Sequence, residues 1–378
     1  MADREWTVEL APGVSAFTAA EWDAMAGTAN PFVKHGFLSA LEDSGSVGPG
    51  TGWQAIPLVV RNENGAPRAA LPAYAKGHSQ GEYVFDHAWA DAWERAGGDY
   101  YPKLQISVPF TPATGPRILG DTDLAPALLA AARQVVARHD WSSAHATFIE
   151  PAQQALFEDA GWLLRSDIQF HWHNRDYADF DGFLADLASR KRKAIRKERA
   201  RAVEGLEIVH LTGDEIKAGH WDAFWVFYQD TGARKWGTPY LTRAAFDLFG
   251  ERMGEDLVLM LALAEGAPVA GALNFIGEDA LYGRYWGCTE DRPFLHFELC
   301  YYQAIDVAIA RGLSRVEAGA QGGHKLARGY EPVETVSAHW MPDPGFRSAV
   351  ADFLERERAG VETDRMFLGE RTPFRKGG

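Results

Sequence analysis

Segments 55–74 and 258–277 follow one plan: an apolar strand, a turn with Gly-Ala-Pro, and a second apolar strand. The first turn runs Asn62-Glu63-Asn64-Gly65 into Ala66-Pro67, and the second is Glu265-Gly266-Ala267-Pro268. Each hairpin is followed by a further strand and later by a helix–strand pair. A short turn match alone constrains little. The same order of elements on both sides points to an internal duplication, an α/β chain that mixes hairpins with helix crossovers in mixed sheets.

Length agrees with that plan, because 378 residues exceed what one hydrophobic core usually serves. The expected domains are 1–175, 176–345 with a basic helix at 180–204, and a C-terminal helix and tail at 346–378. Hydrophobic content of 46% excludes a disordered class. The formal charge of −14 argues against a surface that binds nucleic acid throughout, while a local basic patch stays open. Cys288 and Cys300 lack metal-ligand spacing and read as buried thiols of a reducing compartment. The N-terminus shows no apolar leader and 257–264, the longest apolar run, is too short to span a bilayer. A cytoplasmic protein is expected.

Along the chain, strands are expected at 6–10, 56–61, 69–74, 83–85, 146–149 and 168–173. Helices are expected at 15–25, 31–41, 124–137 and 152–160. In the second half, helices at 180–202, 219–232, 242–253 and 294–311 alternate with strands at 206–211, 257–264, 269–276, 280–288, 315–318 and 335–340.

Three stretches can carry chemistry. Segment 315–330 holds four glycines within eleven residues and then His324, Lys325, Arg328 and Tyr330. Glycines such as Gly322, next to Gln321, let a ligand approach backbone N–H groups, and adjacent cations suit phosphate, carboxylate or a developing oxyanion. A tight, merely solvated connection is the alternative, and the stretch matches neither a P-loop nor a dinucleotide fingerprint.

Segment 78–117 is long, polar and aromatic, as functional connections tend to be. His78, Ser79, Tyr100, Tyr101 and Lys103 can line a cleft there, with Glu82 or Asp86 as proton acceptor; the alternative is that Trp89 and Trp93 are core and the acids are caps. A metal site is not expected, because Tyr83-Val84-Phe85 reads as strand and scatters the ligands. Residues 190–201 hold eight Lys/Arg and one Glu. That run, opening with Arg190, Lys191, Arg192 and Lys193, is either a solvated helix face or a site for an anionic partner. Further polar candidates are Asn274, Arg284, Tyr285, Trp286, Glu298, Tyr302 and Glu317.

Segments 78–117, 189–199 and 297–340 together resemble the FemAB-like, GNAT-related family once described as a domain of unknown function, over roughly 31–340. The resemblance implies two tandem GNAT-like domains of the FemAB type and transfer of an acyl or aminoacyl group to an amine. Its co-substrate would be acyl-CoA or aminoacyl-tRNA, with no tightly bound cofactor. Fem ligases carry a Lys-containing motif after the strand that follows their last long helix, the place of Lys325 here. Two departures stand out. The family's glycine-rich motif usually has Glu where this chain has Gly323, and the acetyltransferase pyrophosphate loop is replaced by TEDRPF at 289–294.

The expectation is an N-acyltransferase-like enzyme with a cleft between or beside its domains. Glycine-loop N–H groups, Lys325 and Arg328 would hold the oxyanion, and Glu82, Asp86, Glu298, His324 or His78 would take the proton. The acceptor would be a small-molecule or peptide amine, and tRNA a possible partner. The alternative is a non-catalytic module that binds an anionic ligand.

Overall fold

Pro72 divides what the sequence presents as one strand. Proline gives the ladder no N–H, and the chain passes from Pro67–Leu71 in one sheet to Ala73–Lys76 in another. The computed structural model describes residues 6–235, 239–319 and 322–375, with the backbone alone at 232–235. The chain forms two units. One is Met1–Asp167 with Glu334–Thr363, the other Ile168–Val333 with Asp364–Gly378. Strand Leu163–His173 carries the chain out of the first unit, and Glu331–Trp340 carries it back. The units are therefore discontinuous in sequence, whereas the expected boundaries at 175 and 345 are contiguous.

In the first unit a small sheet has the order Val8–Leu10, Leu58–Arg61, Pro67–Leu71, Leu119–Gly120. The larger sheet places Trp53–Ala55, Ala73–Lys76, Lys103–Ile106 and Ala144–Ile149 side by side, then the returning Glu331–Trp340. Only Lys103–Ile106 and Ala144–Ile149 are parallel in this set, joined through helix Ala125–His139. Alternation sorts their side chains. Leu104, Ile106, Ala144 and Ala146 pack with Leu128, Leu129, Ala132 and Val136, while Lys103, Gln105, His145 and Thr147 form a buried polar face.

The second unit repeats the scheme. Glu207–Leu211, Leu257–Ala264, Ala267–Ile276 and Ala280–Cys288 are antiparallel neighbours. Arg315–Glu317 then joins parallel, and the end of Leu163–His173 pairs with it. The crossover is helical throughout but irregular: Leu295–Phe297, a π-turn Glu298–Tyr302, then Gln303–Ala310. One sheet face packs on this crossover through Met260, Ala272, Leu281, Val316, Leu299 and Ile305. On the other face Phe249 meets Phe275 edge-on, and Gly271 lies close against Phe224. Among the described residues no helix is long and apolar enough to cross a membrane.

Several expectations need correction. Residues 83–85 form no strand, because Gly81 and Tyr83 have φ of 80° and 60° and turn the chain; Lys103–Ile106 takes that place. The expected helix 180–202 is two, Phe180–Asp186 and Ser189–Ala202, interrupted where Leu187 enters the core. Both cysteines are half-buried rather than buried.

Gly287 gives a direct check on how helix Ala218–Lys235 seats on the sheet. A Cβ there would lie 2.0 Å from the Phe227 carbonyl oxygen, a backbone atom that cannot rotate away. Gly287→Ala is expected to lower stability by about 1–3 kcal/mol, read as a drop in Tm.

Candidate functional site

Parallel strands Ala280–Cys288 and Arg315–Glu317 stay paired for three rungs, ending at Tyr282↔Glu317. Past that rung they part. The register against Ala267–Ile276 runs Leu273↔Tyr285 and then Asn274↔Gly283, which leaves Arg284 as the extra residue of a bulge. The other chain leaves as Ala318–Gly319, the start of the glycine-rich loop. The gap is a cleft of about 110 Å³, with Arg284, Tyr285, Trp286, Tyr301, Cys300 and Gly319 in its walls. The space is large enough to admit several waters or a small organic group. The π-turn supplies Cys300 and Tyr301, an irregularity that helices often carry at functional sites.

Around this cleft the predicted residues take distinct places. The Tyr301 hydroxyl is 2.8 Å from Nε2 of His324, and burial pushes the Tyr301 phenol up. Gly322, at φ 124°, lies against the His324 ring, where a Cβ would come within 2.6 Å. Lys325 is buried, donates to the Gly319 carbonyl at 2.8 Å, and is lowered by that burial to about 8. Tyr330 is buried with its ring 5.5 Å from Tyr301. Arg328 stacks 3.5 Å over Phe297 and donates to Glu198 at 3.0 Å, which also accepts from Tyr302 at 2.5 Å. Glu298 is buried and held by Arg199 and Gln303, and does not line the cleft. Burial raises its pKa against the pull of Arg199. Gln321 lies outside the described residues.

A second cluster lies in the first unit, under segment 78–101. The Lys103 ammonium donates to Ser79 and Glu82, each at 2.8 Å, and to Asp86 at 2.5 Å. Tyr100 donates to Asp86 at 2.7 Å, and the Ser79 and Tyr101 hydroxyls are 2.8 Å apart. Lys76 sits 3.7 Å over the Trp53 ring, within 3.3 Å of His78 and 3.8 Å of Glu82. Burial raises Glu82 to about 7, with Asp86 adding to it and Lys103 opposing. The same burial lowers Lys76 to about 7. Asp86, though buried, is held well below the carboxylate range by Lys103 and His145. Sequence reasoning missed Lys76 and the buried pair His145–His339, whose Nδ1 atoms are 2.7 Å apart. Strict polar–apolar alternation in 143–147 was the available signal.

In the first unit the chain itself returns to the corresponding place. Beyond the rung Ile106↔Ala146, Gly115 pairs with Ile149, and the fully buried Arg117 donates to the carbonyls of Thr147, Pro116 and Ala113. The basic helix is placed differently again. Arg190, Lys191 and Lys193 are exposed, Arg192 is half-buried, and none of the four pairs with a carboxylate among the described residues. At 289–294, Glu290, Asp291 and Arg292 line a space of about 180 Å³, with Arg292 on Glu290 at 2.8 Å.

Two outcomes follow for the buried cluster. Lys103→Met leaves two carboxylates without their cation and is expected to destabilise by roughly 3–5 kcal/mol in chemical denaturation. Between about 4.5 and 7 the folded chain keeps on Glu82 a proton that the unfolded chain releases. Stability therefore falls as pH rises through that window, and Glu82→Gln removes this component from a plot of stability against pH.

The family model for FemAB-like proteins, described as peptidoglycan biosynthesis/recognition, matches residues 13–376. No curated protein matches the sequence. Among solved structures the chain is similar to FemX, at 11% identity and a TM-score of 0.54, over 89% of this chain and 98% of that one. It is similar to L-PGS from Bacillus licheniformis, at 10% identity and a TM-score of 0.50, over 89% and 96%. A conserved protein from Bacteroides thetaiotaomicron gives 12% identity and a TM-score of 0.52, over 88% and 99%. These likenesses show the fold, a two-domain GNAT-like arrangement of the FemAB type. Family and fold together support an aminoacyl- or acyl-transferase in general terms. With nearly its whole length matched, the chain belongs to the FemAB-like family.

Proposed function

We propose that this protein is an N-acyltransferase whose reacting acyl group occupies the cleft between the diverging strands of the second unit. The observation that carries the reading is the divergence itself. It frees backbone from ladder pairing beside a space of acyl size, with a bulge turning the strand toward it. In the reaction the acceptor amine forms the new C–N bond, the C–O or C–S bond to the carrier breaks, and the amine's proton is removed. A free amine needs only deprotonation and positioning, so no covalent enzyme intermediate is invoked.

The roles follow from placement. His324, through the Tyr301 hydroxyl, moves a proton at the cleft, and Lys325 fixes the carbonyl of Gly319 in its wall. Arg284, Tyr285 and Trp286 contact the substrate, and Gly322 gives His324 its room. Among the acids, Glu82 and Asp86 are both tied to Lys103 within the first unit and Glu298 to Arg199, so none of the three is assigned the proton transfer at the cleft. His78, Ser79, Tyr100, Tyr101 and Lys103 serve by holding Glu82 and Asp86 in place.

The favoured donor is aminoacyl-tRNA, ahead of acyl-CoA. Four basic side chains without acidic partners suit a phosphate backbone, and two acids stand where a pyrophosphate would meet the crossover helix. The proposed acceptor is a peptide amine of a cell-wall precursor, in line with the family description. A non-catalytic anion-binding module is the second reading. It is favoured by the lining of the cleft, which among the described residues holds Arg284 and no carboxylate to act as base.

The test is thermal stabilisation by two panels, acyl-CoAs and charged tRNAs, at low and moderate salt. Stabilisation is expected with charged tRNA and is expected to fade as salt rises. Replacing Lys191 and Arg192 by Ala lowers the salt slope by roughly one for each cation removed. Stabilisation by acyl-CoA alone would make the basic helix a solvated face. No stabilisation by either panel would favour the second reading. Once a donor is found, Tyr301→Phe is expected to lower turnover by roughly 10²-fold or more with little change in Tm.

A further inference from the structure

Strand Ala267–Ile276 is apolar at every position but one. The exception, Asn274, is fully buried, and its Nδ2 points to the Ala272 carbonyl at 3.4 Å. In this orientation Oδ1 is directed away from the Ala272 carbonyl, which an oxygen in the place of Nδ2 would repel. Oδ1 has no hydrogen-bond partner among the described residues. A buried, unpaired amide oxygen costs stability, and a leucine would complete the strand without that cost. Asn274 is therefore poorly explained by folding alone.

Its surroundings say what the oxygen faces. Asn274 lines the cleft of the second unit, and its cross-strand partner at the bulge is Gly283. A Cβ on Gly283 would stand 3.3 Å from Oδ1, so glycine keeps that oxygen open. Among the described residues no carboxylate lines the cleft, and Trp286 and Tyr301 offer aromatic surface. With Arg284 in the same wall disfavouring a second cation, an acceptor oxygen beside aromatic faces suits an amino group in its neutral form. A plain acyl chain would leave the oxygen unpaired.

We propose that Asn274 determines donor specificity by accepting a hydrogen bond from an amino group on the carbon next to the acyl carbonyl. This rests on the transfer reading for the location of the acyl group and adds the residue that selects an aminoacyl over a plain acyl group. Gly283 is its positioning partner. The hydrogen bond forms on binding and involves no covalent step.

The experiment is a binding titration of the full chain, with the Asn274 side-chain amide resonance assigned by its loss in Asn274→Leu. The probes are alanine methyl ester and methyl propionate, which differ in the amino group. Alanine methyl ester is expected to shift the resonance saturably and to bind at least about tenfold more tightly than methyl propionate. Asn274→Leu is expected to bind the two alike, with a Tm equal to or above that of the parent. Equal binding of the two esters to the parent would overturn the proposal. So would an unmoved resonance, meaning that water alone serves the oxygen, or a preference that survives in Asn274→Leu. All of these are read without turnover. Absence of transfer from every donor would count against the transfer reading and leave this one to the titration.

Discussion

Two neighbouring parallel strands in a sheet normally satisfy each other's backbone along their whole length. In the second unit they do so only as far as Tyr282 and Glu317. The groups that line the cleft are arranged around the consequence, because exposed backbone groups need partners and a packed core offers none. The bulge at Arg284 turns the strand at that point, Gly283 and Gly319 keep its walls thin, and the π-turn presents Tyr301 from below. Lys325, buried and bonded to the Gly319 carbonyl, pins the start of the glycine-rich loop.

The first unit shows what the same scheme looks like when the gap is closed. Residues 107–117 return beside Ala144–Ile149, and Arg117 supplies the donors that a neighbouring strand would have given. The polar face left over is covered by segment 78–101 and neutralised internally, with Lys103 between Glu82 and Asp86. Duplicated units have thus diverged in how they spend the same topological position. One fills it with its own chain, and the other leaves it open.

Much of this was legible in the sequence and some was not, for physical reasons. The Gly-Ala-Pro turns announced both hairpins, and alternation in 168–173 announced a strand. Lys103–Ile106 escaped notice because both its faces are buried, one of them polar, and a lysine that opens a strand reads as surface. The sequence of 180–202 reads as one helix because its break depends on Leu187 pairing with Phe374, far along the chain. Lys103, Glu82 and Asp86 stand out in the sequence as polar candidates, while their pairing with one another depends on a contact across 17 to 21 residues. Asn274 is visible as a polar residue in an apolar run; that its oxygen has no partner among the described residues, beside a bulge, is something no local pattern encodes.

The central claim is that the donor's acyl group lies between the diverging strands of the second unit. Cys300 sits in the wall of that cleft and is one of only two cysteines. Its alkylation rate, measured in a Cys288→Ser background with and without the donor that stabilises the protein, reports occupancy directly. Protection of Cys300 that saturates with the donor is the predicted result. A donor that stabilises the fold and is turned over while Cys300 reacts at an unchanged rate would place the chemistry elsewhere and contradict the account.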